Sequence, residues 1–247
     1  MKKGELVLFI SEDSSHVFQI ADEKVNTSDG WIDLTELKKK EYGDKIKTST
    51  GKTFLIIKPN LLDILKKRVK RSAQVMLPKD IASIISNTGI DPDSLIIDAG
   101  TGTGYLSIFL AKLLPKSIIV TYESDKEFYN IAKKNMRACD VWNVKIKNRD
   151  VTKGIQEKNA DLVVLDLKNS HLAVKHAYKS LKVGGWIAAY SPTADHLLKV
   201  AKFVRSAGFA DMKIVETIER EWQYTKTIRP KTIGMMHTGF LTFARKI

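Results

Sequence analysis

The chain has 247 residues, 43% hydrophobic and 28% charged, with 14 glycines and a single cysteine. No apolar run approaches the ~18 residues a membrane-spanning helix needs, and Cys139 has no partner for an intramolecular disulfide or a Cys/His zinc cluster. The 41 Lys and Arg against 28 Asp and Glu give a formal net charge of +13, most of it in residues 71–247 (27 basic and 17 acidic, against 14 and 11 before them). That excess points to a polyanionic partner such as RNA or DNA, the alternative being a lysine-rich surface kept for solubility or thermal stability.

The opening "MKKGELVLFISEDSS" is basic and then apolar, but Glu5, Glu12 and Asp13 interrupt it and no small-residue cleavage site follows. It does not read as a signal peptide, and a cytoplasmic location is expected. Short apolar runs at Leu6–Ile10, Val17–Ile20 and Thr53–Lys58, separated by Ser/Asp/Gly clusters, predict a small β-rich module. After Pro59, the positions of Leu61, Leu62, Ile64, Leu65 and Val69 suit a short amphipathic helix. The domain assignment is 1–65 for the β-rich module and 66–247 for the remainder.

From about residue 80 strands and helices alternate. Helix is expected from Asp80 to Gly89, strand over Leu95–Asp98, and helix from about Gly104 to Leu114. Strand Ser117–Glu123 precedes helix Asp125–Cys139, and strands Val144–Asn148 and Ala160–Asp166 precede a helix ending near Leu181. Strand Gly185–Ser191 and a helix to Arg205 complete the alternation. Near-continuous apolar strands with crossover helices predict a parallel sheet covered on both faces. Met212–Trp222 and Thr238–Lys246 have no helix-sized spacer between them, so they are expected to pair antiparallel at one edge.

The turn after the first of these strands reads "DAGTGTGY". In a doubly wound sheet the ligand lies beyond the carboxyl ends of the strands, so Gly100, Gly102 and Gly104 are expected to let it rest against main chain. A dinucleotide fingerprint would put its third glycine where Tyr105 stands, and no G-K-[ST] ending marks a phosphate loop. Asp98, on the strand end, disfavours a phosphate and suits a ligand with cationic groups and hydroxyls; S-adenosylmethionine has both. Glu123, 25 residues later, is placed to accept a ribose diol, a role equally met in NAD enzymes. Asp150, followed by Val151, lies where it meets an adenine amino group. Any one of these acids is otherwise a solvated strand-end charge; three at successive strand ends define a cofactor site with Thr101, Thr103 and Tyr105 of the loop.

With these motifs the sequence resembles the class I S-adenosylmethionine-dependent methyltransferases, and more narrowly the tRNA (adenine-58-N1)-methyltransferase family of bacteria and archaea. The narrower likeness rests on "RSAQVMLPKD" (71–80), Asp166–Leu167, "YSPT" (Tyr190–Thr193) and "RP" at Arg229 with "MMHTGFLTFARK" at 235–246. It implies an α/β fold, a doubly wound Rossmann-like methyltransferase sheet with an antiparallel C-terminal ribbon and a small N-terminal β-rich domain. It further implies a homotetramer that methylates N1 of an adenine, at position 58 or 57, in the T-loop of tRNA.

Under that resemblance Asp166 orients the adenine and balances the charge it gains, also bordering the cofactor. Tyr190 stacks on or walls the base, unless it is simply a core aromatic. Gln74 stands near the cofactor or packs, and Asp80 caps the following helix. Leu77, Lys168, Arg229 and His237 are candidate substrate contacts, His237 being otherwise structural. The sequence departs from the family pattern at three places: Leu77, where an aromatic or histidine is usual; Lys168–Asn169, after Asp-Leu; and His196, where glutamine is usual. Two other functions are open: a methyltransferase of the same fold acting on a small molecule or protein, and an inactive tRNA-binding partner subunit.

Overall fold

The computed structural model describes residues 1–70, 75–231, 234 and 237–247. It divides into two compact units, Met1–Lys70 and Arg71–Ile247.

In the first unit, β1 (Leu6–Ile10), β2 (Ser15–Gln19), β5 (Lys45–Lys47) and β6 (Thr53–Ile57) form an antiparallel sheet in the order β2-β1-β6-β5, and β3 (Lys24–Thr27) pairs with β4 (Gly30–Asp33) as a hairpin. Alternation in β6 buries Phe54 and Ile56, which join Val7, Phe9, Ile32, Leu37 and Ile46 in one core. Helix α1 (Leu61–Arg68) starts at a reciprocal capping box, Asn60 with Asp63. The hairpin and β5 were not foreseen: they are three or four residues long, too short to carry a period-2 signal.

The second unit holds α2 (Pro78–Thr88), β7 (Leu95–Ala99), α3 (Tyr105–Leu113), β8 (Ile118–Glu123), α4 (Lys126–Ala138), β9 (Val144–Asn148), β10 (Ala160–Leu165), α5 (Ser170–Ser180), β11 (Leu181–Ser191), α6 (Ala194–Ser206), β12 (Phe209–Glu216), the short β13 (Trp222–Tyr224) and β14 (Ile228–Pro230), and β15 (Phe240–Lys246). Its seven-stranded sheet runs β12-β15-β11-β10-β7-β8-β9. The strands β11, β10, β7, β8 and β9 pair in parallel, as the apolar runs predicted. Strand β15 pairs antiparallel with both β11 and β12, so the last strand slots between them rather than extending the edge.

Two boundaries differ from expectation. β11 begins at Leu181 because the chain pairs with Ala160 across a register shift at Gly184–Gly185 before meeting Leu162 through Trp186. β12 stops at Glu216; Trp222 belongs to the separate β13–β14 hairpin. The strand order reverses between β7 and β10, so the loop after β7 and the end of β10 flank the crevice where such sheets take ligands.

Candidate active site

Two chain segments meet at that crevice. The Asp166 amide donates to the Ala99 carbonyl at 2.8 Å, bringing the end of β10 against the glycine loop. Gly100 has φ +95°, and a Cβ there would stand 2.0 Å from the Asp166 carbonyl oxygen. Gly104 is closed in by Ala132 and Met136 of α4. Only Gly102 faces open space, with no atom within 4 Å of its notional Cβ. The expectation that all three glycines clear the way for a ligand is therefore corrected: Gly100 and Gly104 accommodate the protein itself, and Gly102 alone has open space where a side chain would stand.

The acids divide in the same way. Asp98 is fully buried, and its Oδ2 accepts from Ser107 Oγ (2.5 Å) and Thr121 Oγ1 (2.9 Å), tying α3 and β8 to β7. Thr101 Oγ1 lies 2.5 Å from Thr121 Oγ1, which extends the chain into the loop. Burial raises the Asp98 carboxyl to about 6 against the opposing hydroxyls. Its Oδ1 and the Thr103 hydroxyl are buried with no hydrogen bond among the described residues. Glu123 accepts the Gly102 amide on Oε2 (2.8 Å) and the Asp125 amide on Oε1 (2.9 Å), so it shapes the loop it faces. Asp150 caps the turn that begins at the buried Val151, taking the Thr152 amide (2.9 Å) and hydroxyl (2.7 Å), and these hydrogen bonds hold its carboxyl below the usual range. Tyr105, the first residue of α3, is buried.

Asp166 opens into a cavity of about 470 Å³ lined also by Tyr190, Pro192 and the first turns of α5 and α6. Burial pushes its carboxyl up to about 7, with the Asp98 charge adding. The Tyr190 hydroxyl donates to the Thr238 carbonyl, and its ring lies so close to Gly239 that a Cβ there would stand 2.5 Å from Cζ. Tyr190 is thus a fixed wall whose phenol, raised to about 12 chiefly by burial, keeps its proton. Lys168 lines the cavity. His171, Lys199 and Asp195 line it too, unforeseen because they sit on amphipathic helices where His and Lys read as surface.

Other expectations resolve into structure. Asp80 does not cap α2: Leu77 is the N-cap, without a side-chain bond, and Asp80 pairs with Lys79 (2.8 Å) and accepts from Thr238 (2.8 Å). His237 is held by Glu216 (2.5 Å) and the Pro192 carbonyl (3.3 Å), the carboxylate raising its affinity for a proton. Arg229 lies on the exposed β14, paired with Gln223 across the β13–β14 hairpin. Gln74 lies outside the described residues. Among the described residues no helix is long and apolar enough to cross a membrane, and no three His, Cys, Asp or Glu side chains are grouped to hold a metal.

A glycine turn at a topological switch point, an acid at the end of each flanking strand and an aspartate lining a separate cavity define a Rossmann-like S-adenosylmethionine-dependent methyltransferase. A structure from Thermotoga maritima described as an SAM-dependent O-methyltransferase superposes with a TM-score of 0.87 at 30% identity, covering 100% of this chain and 94% of that one. The tRNA (m1A58) methyltransferase TrmI of Aquifex aeolicus shares the fold, with a TM-score of 0.80 at 24% identity over 100% and 98% of the two chains. In sequence, the chain is 33% identical to the tRNA (adenine(57)-N(1)/adenine(58)-N(1))-methyltransferase TrmI of Methanocaldococcus jannaschii, across 90% of this chain and 88% of that protein. Residues 54–236 match the family described as the tRNA methyltransferase complex GCD14 subunit, and the chain belongs to that family.

Proposed function

We propose that this chain transfers a methyl group from S-adenosylmethionine to N1 of an adenine in the T-loop of tRNA, at position 58 or 57. The observation that carries the proposal is the placement of Asp166, whose backbone is locked to the glycine loop while its carboxylate faces the cavity. When bound, S-adenosylmethionine supplies an electrophilic methyl group on a sulfonium.

The residues assigned to hold it are Gly102 and Thr103 of the loop, Glu123 and Asp150 toward the ribose and base, and Val151 beneath. The buried charge of Asp98 favours a cation from behind the loop rather than by contact. Orphaned polar atoms at Asp98 and Thr103 and the open face of Gly102 suit such a ligand.

Adenine N1 carries its own lone pair, so the attack needs no strong base. Methylation leaves the ring cationic. Asp166 accepts from the exocyclic amino group, orients N1 and balances the new charge. Tyr190 walls the base and moves no proton. The target base must leave its stack to enter the cavity, and the basic excess of residues 71–247 supports docking of the RNA. Homotetrameric assembly and a cytoplasmic location belong to the same reading, which the family resemblance supports.

The test is incubation with labelled donor and unmodified tRNA, mass-spectrometric mapping of the modified nucleotide, and light scattering for assembly. Methyl-1-adenine at position 58, with or without 57, is expected. Label on a hydroxyl group or a small molecule and none on tRNA overturns the reading. Donor binding without transfer to any acceptor assigns the chain as a partner subunit instead.

A further inference from the structure

The cavity beside Asp166 contains more chemistry than an adenine ring requires. Lys168 precedes α5, His171 lies in its first turn, and His196 and Lys199 lie in the first turns of α6; all four line the same space. Neither lysine has an ion-pair partner among the described residues. His196 Nε2 is 3.0 Å from the buried Ser170 hydroxyl, whereas Nδ1 of His196 and Nδ1 of His171 are buried with no hydrogen bond among the described residues. Asn169, the N-cap of the eleven-residue α5, makes no capping hydrogen bond with its side chain; of the first-turn amides, those of Ser170 and Leu172 go to the Leu167 and Asn169 carbonyls. Burial, then the charges of His171 and Lys199, make His196 harder to protonate, against the nearby Lys168 backbone; the pocket is already electropositive there. Asp166 and Asp195 are the carboxylates lining the same space, and Asp166 is assigned to the base.

We propose that this cavity takes a phosphate of the target nucleotide together with its base, with Lys168, His171, His196 and Lys199 as the anion-binding side chains. The proposal rests on the reading of a tRNA adenine as substrate and adds a second recognition element to it. At about 470 Å³ the cavity has room for a nucleotide, within the roughly 300–1,000 Å³ usual for small-ligand sites. Two lysines and two imidazoles form the donor set that a phosphate monoester or diester accepts from. A phosphate held here fixes the sugar–phosphate hinge about which the extruded base turns. It would also report that the base has left the RNA stack.

The experiment compares adenosine, adenosine 5′-monophosphate, adenosine 3′-monophosphate and inorganic phosphate as ligands of the full chain, by calorimetry. One of the two monophosphates is expected to bind at least about tenfold tighter than adenosine, the gain of charge-assisted hydrogen bonds, and which one wins says which side of the nucleotide enters. In His196→Gln and Lys199→Ala the ratio is expected to fall toward one, with S-adenosylmethionine affinity as the check on folding. Equal binding of adenosine and both monophosphates, no saturable binding of either monophosphate, or a ratio unchanged in both variants overturns the proposal. Inorganic phosphate that binds without any advantage for the nucleotides also overturns it, since the anion would then sit apart from the base. A protein that methylates tRNA with no monophosphate preference loses the phosphate site and keeps its function; a preference in a protein that never methylates tRNA does the reverse.

Discussion

Asp166 and Gly100 are in contact through backbone: the Asp166 carbonyl oxygen occupies the space that any side chain at residue 100 would need. The glycine loop and Asp166 at the end of β10 are therefore parts of one rigid joint. Gly100→Ala must push β10 away from β7 while also holding an L-residue at φ +95°, and a loss of about 3 kcal/mol or more is expected. Gly102→Ala meets no atom of the protein and costs about 1–2 kcal/mol for its left-handed backbone (φ +53°). Its methyl group instead projects where the ligand is assigned. Denaturant melts should rank Gly100→Ala well below Gly102→Ala, whereas calorimetry should show donor binding weakened in a still-folded Gly102→Ala. Similar stabilities for the two would remove the distinction drawn between these glycines.

Asp166 has no assigned contact with the donor loop through its side chain, only through its backbone. Asp166→Ala is accordingly expected to leave donor affinity within a few-fold of wild type. Turnover should fall by about 10²–10³, the scale for losing one charge-stabilising group in a transition state. Isothermal binding and single-turnover methylation of tRNA separate the two effects. Wild-type turnover in the variant would strip Asp166 of its role.

Much of this was legible from residue order. The central strands β7, β8 and β10 declared themselves as apolar runs of five or six residues, because a strand buried on both faces has no polar alternation to hide it. The pairing of β12 with β15 followed from the missing helix between them. The insertion of β15 beside β11 did not follow, since strand order is fixed by packing that no local pattern encodes. Of the site, Asp98 and Glu123 stood out by spacing, but the partners they use, Ser107, Thr121 and the Gly102 amide, were not marked by any motif. Asp80 was misplaced as a cap because a carboxylate in a first turn normally serves one. Here Leu77 takes the cap position, and the adjacent Lys79 and the sequence-distant Thr238 claim the carboxylate.

That claim has a consequence for stability. Lys79 Nζ donates to Asp80 (2.8 Å), to the Thr217 carbonyl (2.5 Å) and to the Thr238 hydroxyl (2.7 Å), with both charged side chains less than a tenth exposed. It clasps α2 to the end of β12 and to the segment before β15. Lys79→Met leaves Asp80 buried with the Thr238 hydroxyl as its one remaining side-chain donor among the described residues and is expected to cost about 3–5 kcal/mol. Lys79→Met with Asp80→Asn removes the uncompensated charge and should recover part of that loss. Thermal melts of the two variants give the comparison, and a double variant no more stable than the single would show that the buried charge is not what destabilises it.

The two buried carboxyls set the pH response. Asp98 and Asp166 titrate at about 6 and about 7, each raised first by burial, so the folded chain holds protons that the unfolded chain has already released at pH 4–5. Stability of the free protein should therefore fall as pH rises from about 4 to about 7, the Asp98 share being about 3 kcal/mol for a rise of some two units. A sulfonium ligand at the glycine loop opposes that preference at Asp98, because its charge favours the ionised carboxylate behind the loop and displaces the proton. Donor affinity is expected to tighten by about tenfold between pH 5.5 and 7.5, with protons released on binding at the acid end. Calorimetry in buffers of different ionisation enthalpy measures that release directly. Asp98→Asn should flatten the stability slope below pH 6 and reduce the proton count. If donor binding releases no proton at pH 6, the Asp98 charge is not what favours the sulfonium.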